Sequence, residues 1–270
     1  MTFVIAICGT MGSGKSTAVE NIAAALPDCQ SLHEDDYNRT TERSLDEIKT
    51  WWDRGADVGE FDLSELIQQM AIRCPDELPS RKCQSPDLLK TDIATGQHQG
   101  TSQHQGTDVP RSPGITAPPT SGVGRGNPEI LLLETHFGRL HPGLNPWIDF
   151  QCWIDVPADI AVARKIAQMS AQIQAHSSSS RTVDGLCWIE NFCKGYLTTT
   201  RKLFEMQRQK VRDLSEMSID GRAAPLDVCA EFLQRLPQKY KPDQMWELKA
   251  SRGCESADVW PDDPWARIQT

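Results

Sequence analysis

The sequence predicts an α/β fold, a parallel sheet with helices packed on both faces. Three observations carry this expectation. Short unbroken apolar runs recur along the chain, as strands buried on both faces require. Stretches with apolar residues at helical spacing alternate with those runs. A glycine-rich turn joins the first run to the first helical stretch.

The elements follow in order. Phe3-Val4-Ile5-Ala6-Ile7 is the first strand. Beyond the glycine-rich turn, Ala18, Val19, Ile22, Ala23 and Leu26 form one helical stripe, which Pro27 stops. Cys29–His33 is a short apolar-polar stretch running into Glu34-Asp35-Asp36-Tyr37. Ser44 and Glu47 make a capping box ahead of Leu45, Ile48, Trp51 and Trp52, and at least one of the two tryptophans belongs to the core. Leu63, Leu66, Ile67, Met70 and Ala71 mark a further amphipathic helix. Ile130-Leu131-Leu132-Leu133 and Phe150-Gln151-Cys152-Trp153-Ile154 read as buried strands. A helix starts from Pro157, with Ile160, Ala163, Ile166 and Met169 on one side, and Ser177–Ser180 breaks it. A long helix over 185–213 turns Ile189, Phe192, Cys193, Tyr196 and Leu197 inward. Met217-Ser218-Ile219 is a short strand ending at Asp220-Gly221, and a last helix carries Leu226, Cys229, Phe232, Leu233 and Leu236. The expected architecture is three-layered, with five parallel strands.

Composition divides the 270 residues. Residues 75–128 hold eight of the 17 prolines, seven of the 18 glycines and no aromatic residue, and contain the near-repeat Gln97–Thr101 and Gln103–Thr107. Such a stretch buries too little apolar surface to offset the entropy of ordering it, and reads as a disordered insertion. Residues 237–270 form a polar tail with Trp246, Trp260 and Trp265. Residues 1–74 and 129–236 remain as a single domain. The formal charge of −9 argues against broad nucleic-acid binding, which needs basic charge to displace counterions. No apolar run reaches the length of a membrane span, and the first residues lack the basic segment of a secretory leader. Nine cysteines without a C-x-x-C pair suit reduced thiols and a cytoplasmic location.

Gly9-Thr10-Met11-Gly12-Ser13-Gly14-Lys15-Ser16, followed by Thr17, matches G-x-x-x-x-G-K-[ST]. Its glycines let the backbone N–H groups point inward to cradle phosphates, and the following helix adds the positive end of its dipole. Lys15 is placed to reach the β- and γ-phosphates and Ser16 to coordinate Mg²⁺. A guanine-reading N-K-x-D motif is absent from the sequence.

Ligands of open α/β sheets bind at the carboxyl ends of the strands. Three acidic features fall there. One of Asp35 and Asp36 is a candidate to take the proton of an acceptor hydroxyl. Glu134, closing an apolar strand, is a candidate to hold Mg²⁺ or its water. Asp62 either caps its helix or serves the acceptor. Thr135-His136-Phe137-Gly138-Arg139 is a candidate lining of the acceptor pocket, through His136 or Arg139, with Tyr37 as a further contact.

With these residues in place, the chain resembles the uridine kinase and nicotinamide riboside kinase family of small P-loop kinases. Phe3–Thr17 resembles the family's strand and phosphate loop, and Leu26–Tyr37 resembles the nicotinamide riboside kinase segment leading to its catalytic Asp, which gives that position to Asp35. Glu60-Phe61-Asp62 is similar to the segment whose Asp binds ribose hydroxyls, and Leu131–Glu134 to the strand whose Glu sits by Mg²⁺. Pro157–Lys165 resembles the helix into the lid, with Arg164 and Lys165 at its basic positions. The resemblance implies an enzyme, dependent on ATP and Mg²⁺, that phosphorylates the 5′-hydroxyl of a nucleoside-like small molecule. Lys15 and Arg164 would balance phosphate charge. The chain departs from the family in Thr135-His136, where glycine usually follows the Glu, and in Met169–Arg181, a lid segment whose one basic side chain, apart from histidine, is Arg181. The alternatives are a kinase of a sugar phosphate or pantothenate-like acceptor, and a nucleotide-binding regulator with little catalysis.

Overall fold

The computed structural model describes residues 2–37, 45–75, 129–175 and 179–240. Ser44 of the capping box, all but Pro75 of the 75–128 segment, Ser177, Ser178 and the three tail tryptophans lie outside the described residues. The main elements are β1 (Phe3–Cys8), α1 (Lys15–Ala25), β2 (Cys29–His33), α2 (Leu45–Asp53), α3 (Ser64–Arg73), β3 (Ile130–Thr135), β4 (Phe150–Asp155) and α4 (Ala158–Ala175). Helix α5 (Ser179–Gly195) runs on through a π turn at Tyr196–Thr200, α6 (Arg201–Met206) and a second π turn at Gln207–Val211. Strand β5 (Met217–Asp220) and α7 (Pro225–Arg235) follow.

The five strands form one parallel sheet in the order β2-β3-β1-β4-β5. Because successive side chains of a strand point to opposite faces, β1 feeds two cores at once. Ile5 and Ile7 join Leu132, Ile154, Val19, Ile22 and Phe232 beneath α1 and α7. Val4, Ala6 and Cys8 join Leu131, Leu133, Trp153, Leu66 and Met70 on the α3 side. Phe232 is fully enclosed, and its truncation to Ala would cost about 3–5 kcal/mol. A third cluster of Trp51, Ala56, Val58, Phe137 and Met206 lies outside the sheet. Trp51 is the core tryptophan of its pair, its indole N–H donating to the Asp57 carbonyl.

Ala163 of α4 and two leucines face solvent against expectation. Leu197 is 74% exposed, because the inward stripe passes from Tyr196 to Thr199 inside the π turn, whose wider winding shifts the phase of the helix. Leu226 is 62% exposed, because α7 buries the stripe Val228, Cys229 and Phe232 instead. The serine run also ends earlier as a break than the sequence implies, since α5 begins at Ser179. No helix among the described residues is long and apolar enough to cross a membrane.

Candidate active site

The loop between β1 and α1 turns where only glycine is comfortable: Gly12 has φ +79° and Gly14 φ +91°. A Cβ on Gly12 would lie 2.1 Å from the Ala161 carbonyl, so α4 packs directly against the loop. The Ser13 amide donates to the Thr10 carbonyl at 3.1 Å, closing the turn. Lys15 is buried at the mouth of α1, and its Nζ donates to the Thr10 carbonyl at 3.1 Å and stands 3.4 Å from His136 Nδ1. The hydroxyls of Thr10 and Ser13 are buried within the loop without a hydrogen-bond partner among the described residues.

Beside the loop, β3 presents Glu134. Parallel register sets it next to Ile7 of β1 and His33 of β2. Ser16 Oγ donates to Glu134 Oε1 at 2.7 Å, and His33 Nδ1 contacts Oε2. Burial opposes ionisation of Glu134, but the hydrogen bonds from His33 and Ser16 and the charge of Lys15 outweigh it and hold the carboxyl below its usual range. The same hydrogen bond raises His33, against the opposing effect of its own burial.

The chain beyond β3 is steered by Glu34, which is fully buried. Its Oε2 accepts from Thr135 Oγ1 at 2.5 Å and from the His136 amide at 2.9 Å. Thr135 Oγ1 in turn accepts from the amides of Phe137 and Gly138. This knot fixes the His136 ring between two functional groups, with Nε2 3.2 Å from Asp35 Oδ1. Lys15 can only donate, so Nδ1 accepts and Nε2–H donates to Asp35. That hydrogen bond is the main reason the Asp35 carboxyl lies well below the usual range; partial loss of hydration beside His136 opposes it, and Lys15 and Lys165 assist. Lys165 is lowered by burial, and Asp35 and Lys15 both act on it, so all three charges share one field.

The remaining candidates fall in different places. Arg164 donates to the Gly221 carbonyl at 2.8 Å; a Cβ on Gly221 would lie 3.1 Å from the Ser13 carbonyl, which puts this arginine on the flank of the loop. His136 stands inside the site. Asp62 is exposed, and its Oδ1 accepts from the amide and hydroxyl of Ser64 at 3.0 and 2.6 Å, a turn that opens α3. Tyr37 is half-buried against the cluster around Leu32, Leu63 and Leu66. Arg139 corrects its expectation. Its guanidinium pairs with Glu216 and donates to the carbonyls of Ile148 and Asp149, at the amino ends of β4 and β5 and away from the loop. Gly138 (φ +50°) causes this, since the turn there drives the chain downward and the Arg139 amide onto Gln151 Oε1.

Sequence reasoning did not single out His33, or Glu34 as a steering carboxylate. The β2–β3 register was the signal for His33, since it faces Glu134 directly.

No family model matches the chain, and no curated protein matches it. Among solved structures, an unliganded sugar kinase from a Janibacter species aligns at 13% identity over 87% of this chain and 94% of its own, with a TM-score of 0.36. A deoxyadenosine kinase from M. mycoides, with bound dATP, aligns at 14% identity over 87% and 99%, with a TM-score of 0.37.

Proposed function

We propose that the chain is a small-molecule kinase that transfers the γ-phosphoryl group of ATP, with Mg²⁺, to a hydroxyl of a nucleoside-type acceptor. The observation that carries this reading is the path Lys15–His136–Asp35. It holds an ionised carboxylate two contacts from the lysine of a loop shaped for phosphates.

The residues present fit both phosphates and metal. Two orphaned hydroxyls and left-handed glycines suit a loop that wraps oxyanions. Ser16 and Glu134 offer the hard oxygen donors that Mg²⁺ takes, and would hold it. When bound, Mg²⁺ supplies positive charge to the phosphate oxygens.

In the transfer, the acceptor oxygen forms a bond to the γ-phosphorus while the bond to the β–γ bridging oxygen breaks, and ADP leaves with that electron pair. Asp35 accepts the hydroxyl proton. His136 keeps Asp35 ionised and aimed. Lys15 and Arg164 hold the phosphates, and Lys165 adds charge near the reacting groups. Asp62 is assigned to a ribose diol, on the resemblance of its segment. Phe61, partly exposed against the buried cluster of Trp51 and Phe137, offers one ring that suits an acceptor carrying a planar ring. Incubation with Mg-ATP and a panel of nucleosides, sugars and pantothenate-like compounds, following ADP release, tests this. A nucleoside should stimulate release. ATP binding with no acceptor-stimulated release would instead make the chain a nucleotide-binding regulator.

A further inference from the structure

Phosphoryl transfer spreads negative charge over the γ-oxygens and the bridging oxygen, and arginine is the side chain best shaped to meet it. The segment Met169–Arg181 is nearly empty of basic residues. Arginines lie farther along the chain. The π turn Gln207–Val211 begins beside His136 and runs down the sheet face, where the Val211 carbonyl accepts from Gln151 Nε2. Gln207 is buried there with its Nε2 3.4 Å from the His136 carbonyl, while its Oε1 has no hydrogen-bond partner among the described residues. The next residue, Arg208, reaches Asp155, the last residue of β4, with Nε 3.4 Å from Oδ1 and one NH2 3.4 Å from Oδ2. Strand β4 lies beside β1, pairing Trp153 with Cys8, the residue before the phosphate loop. Arg208 therefore stands at the carboxyl edge of the sheet, the edge that also carries the phosphate loop, His136 and Asp35.

Three details make this arginine more than a structural pair. The contacts to Asp155 are long and the Arg208 side chain is half exposed, so the pair is weak and easily exchanged. The guanidinium already meets two oxygens of one planar group, the geometry with which it binds two phosphoryl oxygens. Asp155 also receives Arg212 at 3.6 Å and the Trp153 indole N–H at 3.3 Å, so it keeps partners when Arg208 departs.

We infer that Arg208 is a catalytic residue of the proposed kinase, leaving Asp155 to bind the γ-phosphoryl oxygens during transfer in place of the arginines missing from Met169–Arg181. It forms and breaks no covalent bond; the bonds exchanged, and the proton taken by Asp35, are those of the reaction above. The inference rests on the kinase reading, and the experiment separates the two. Full-length wild type, Arg208→Ala, Arg208→Lys and Arg212→Ala are compared for kcat and both KM values with the best acceptor of the panel, alongside thermal melting. Arg208→Ala should lose about 10²–10³-fold in kcat, as removal of a transition-state donor does, with KM values within about threefold. Added guanidinium ion should restore part of that loss. Arg208→Lys, which keeps the charge for folding, should remain at least tenfold impaired because it lacks the fork. Arg212→Ala should stay within about twofold of wild type. An active wild type with a fully active Arg208→Ala overturns the assignment alone, as do equal losses in the two alanine variants that follow their melting temperatures. A wild type that binds ATP but is stimulated by no acceptor overturns the kinase reading and this assignment together.

Discussion

Ser16 and Glu134 are joined by a 2.7 Å hydrogen bond that ties the first turn of α1 to the end of β3. Both oxygens are the kind Mg²⁺ prefers, and the tie sets them side by side. Glu134→Gln keeps the shape and removes the charge. We expect the Mg²⁺ concentration for half-maximal ADP release to rise about 10–100-fold. Nucleotide affinity measured in chelator should barely change, and a titration of activity against Mg²⁺ with a parallel binding assay reads both.

Asp35→Asn should lower kcat by about 10²–10⁴-fold while ATP affinity stays near that of wild type, measured by steady-state kinetics and direct binding. The depressed pKa of Asp35 means that wild type keeps its base ionised well into the acid range. His136→Ala removes the main cause, so the acid limb of the pH–rate profile should move to higher pH. Asp35 is 68% exposed, and the displacement should therefore shrink as salt is added. A profile that does not move would remove His136 from its positioning role.

The contact between His33 and Glu134 gives folding a pH dependence of known sign. The folded pKa of His33 is raised above its ordinary value near 6.5, so its contribution is fully present below that value and is lost as pH rises through the folded one. Glu134, held low, stays ionised throughout that window. In chelator, the difference in urea-unfolding free energy between wild type and His33→Ala should be larger at pH 5.5 than at pH 8.5. Equal differences at the two pH values would mean that the imidazole acts only by packing.

Arg139 should be a stability residue. Its guanidinium holds Glu216 and two carbonyls across the start of β4 and β5, so Arg139→Ala should cost about 2 kcal/mol in denaturant unfolding. The acceptor KM should be unchanged at a temperature where the variant is folded. A raised KM with unaltered stability would return Arg139 to the acceptor pocket.

The strands were readable because the central ones are buried on both faces and leave unbroken apolar runs, as in Leu131–Leu133. The loop was readable because its chemistry is packed into consecutive residues. Asp35 and Glu134 were accessible as acids at strand ends, a rule of topology. The rest depends on where the chain turns. Arg139 lies three residues from His136, yet one left-handed glycine sends it to the opposite edge. Leu197 follows the helical repeat until a π turn alters the winding. Gln207 meets the carbonyl of His136 from 71 residues away, and no local spacing announces a contact of that range.

The route between α3 and β3 has a practical consequence. The chain re-enters at Glu129, whose amide donates to the Asp28 carbonyl and whose own carbonyl accepts from Phe3, at the amino edge of the sheet. The phosphate loop lies at the other edge, a strand length of roughly 20 Å away. An alteration at Glu129 therefore acts on the back of the sheet, a strand length from the chemistry at its front.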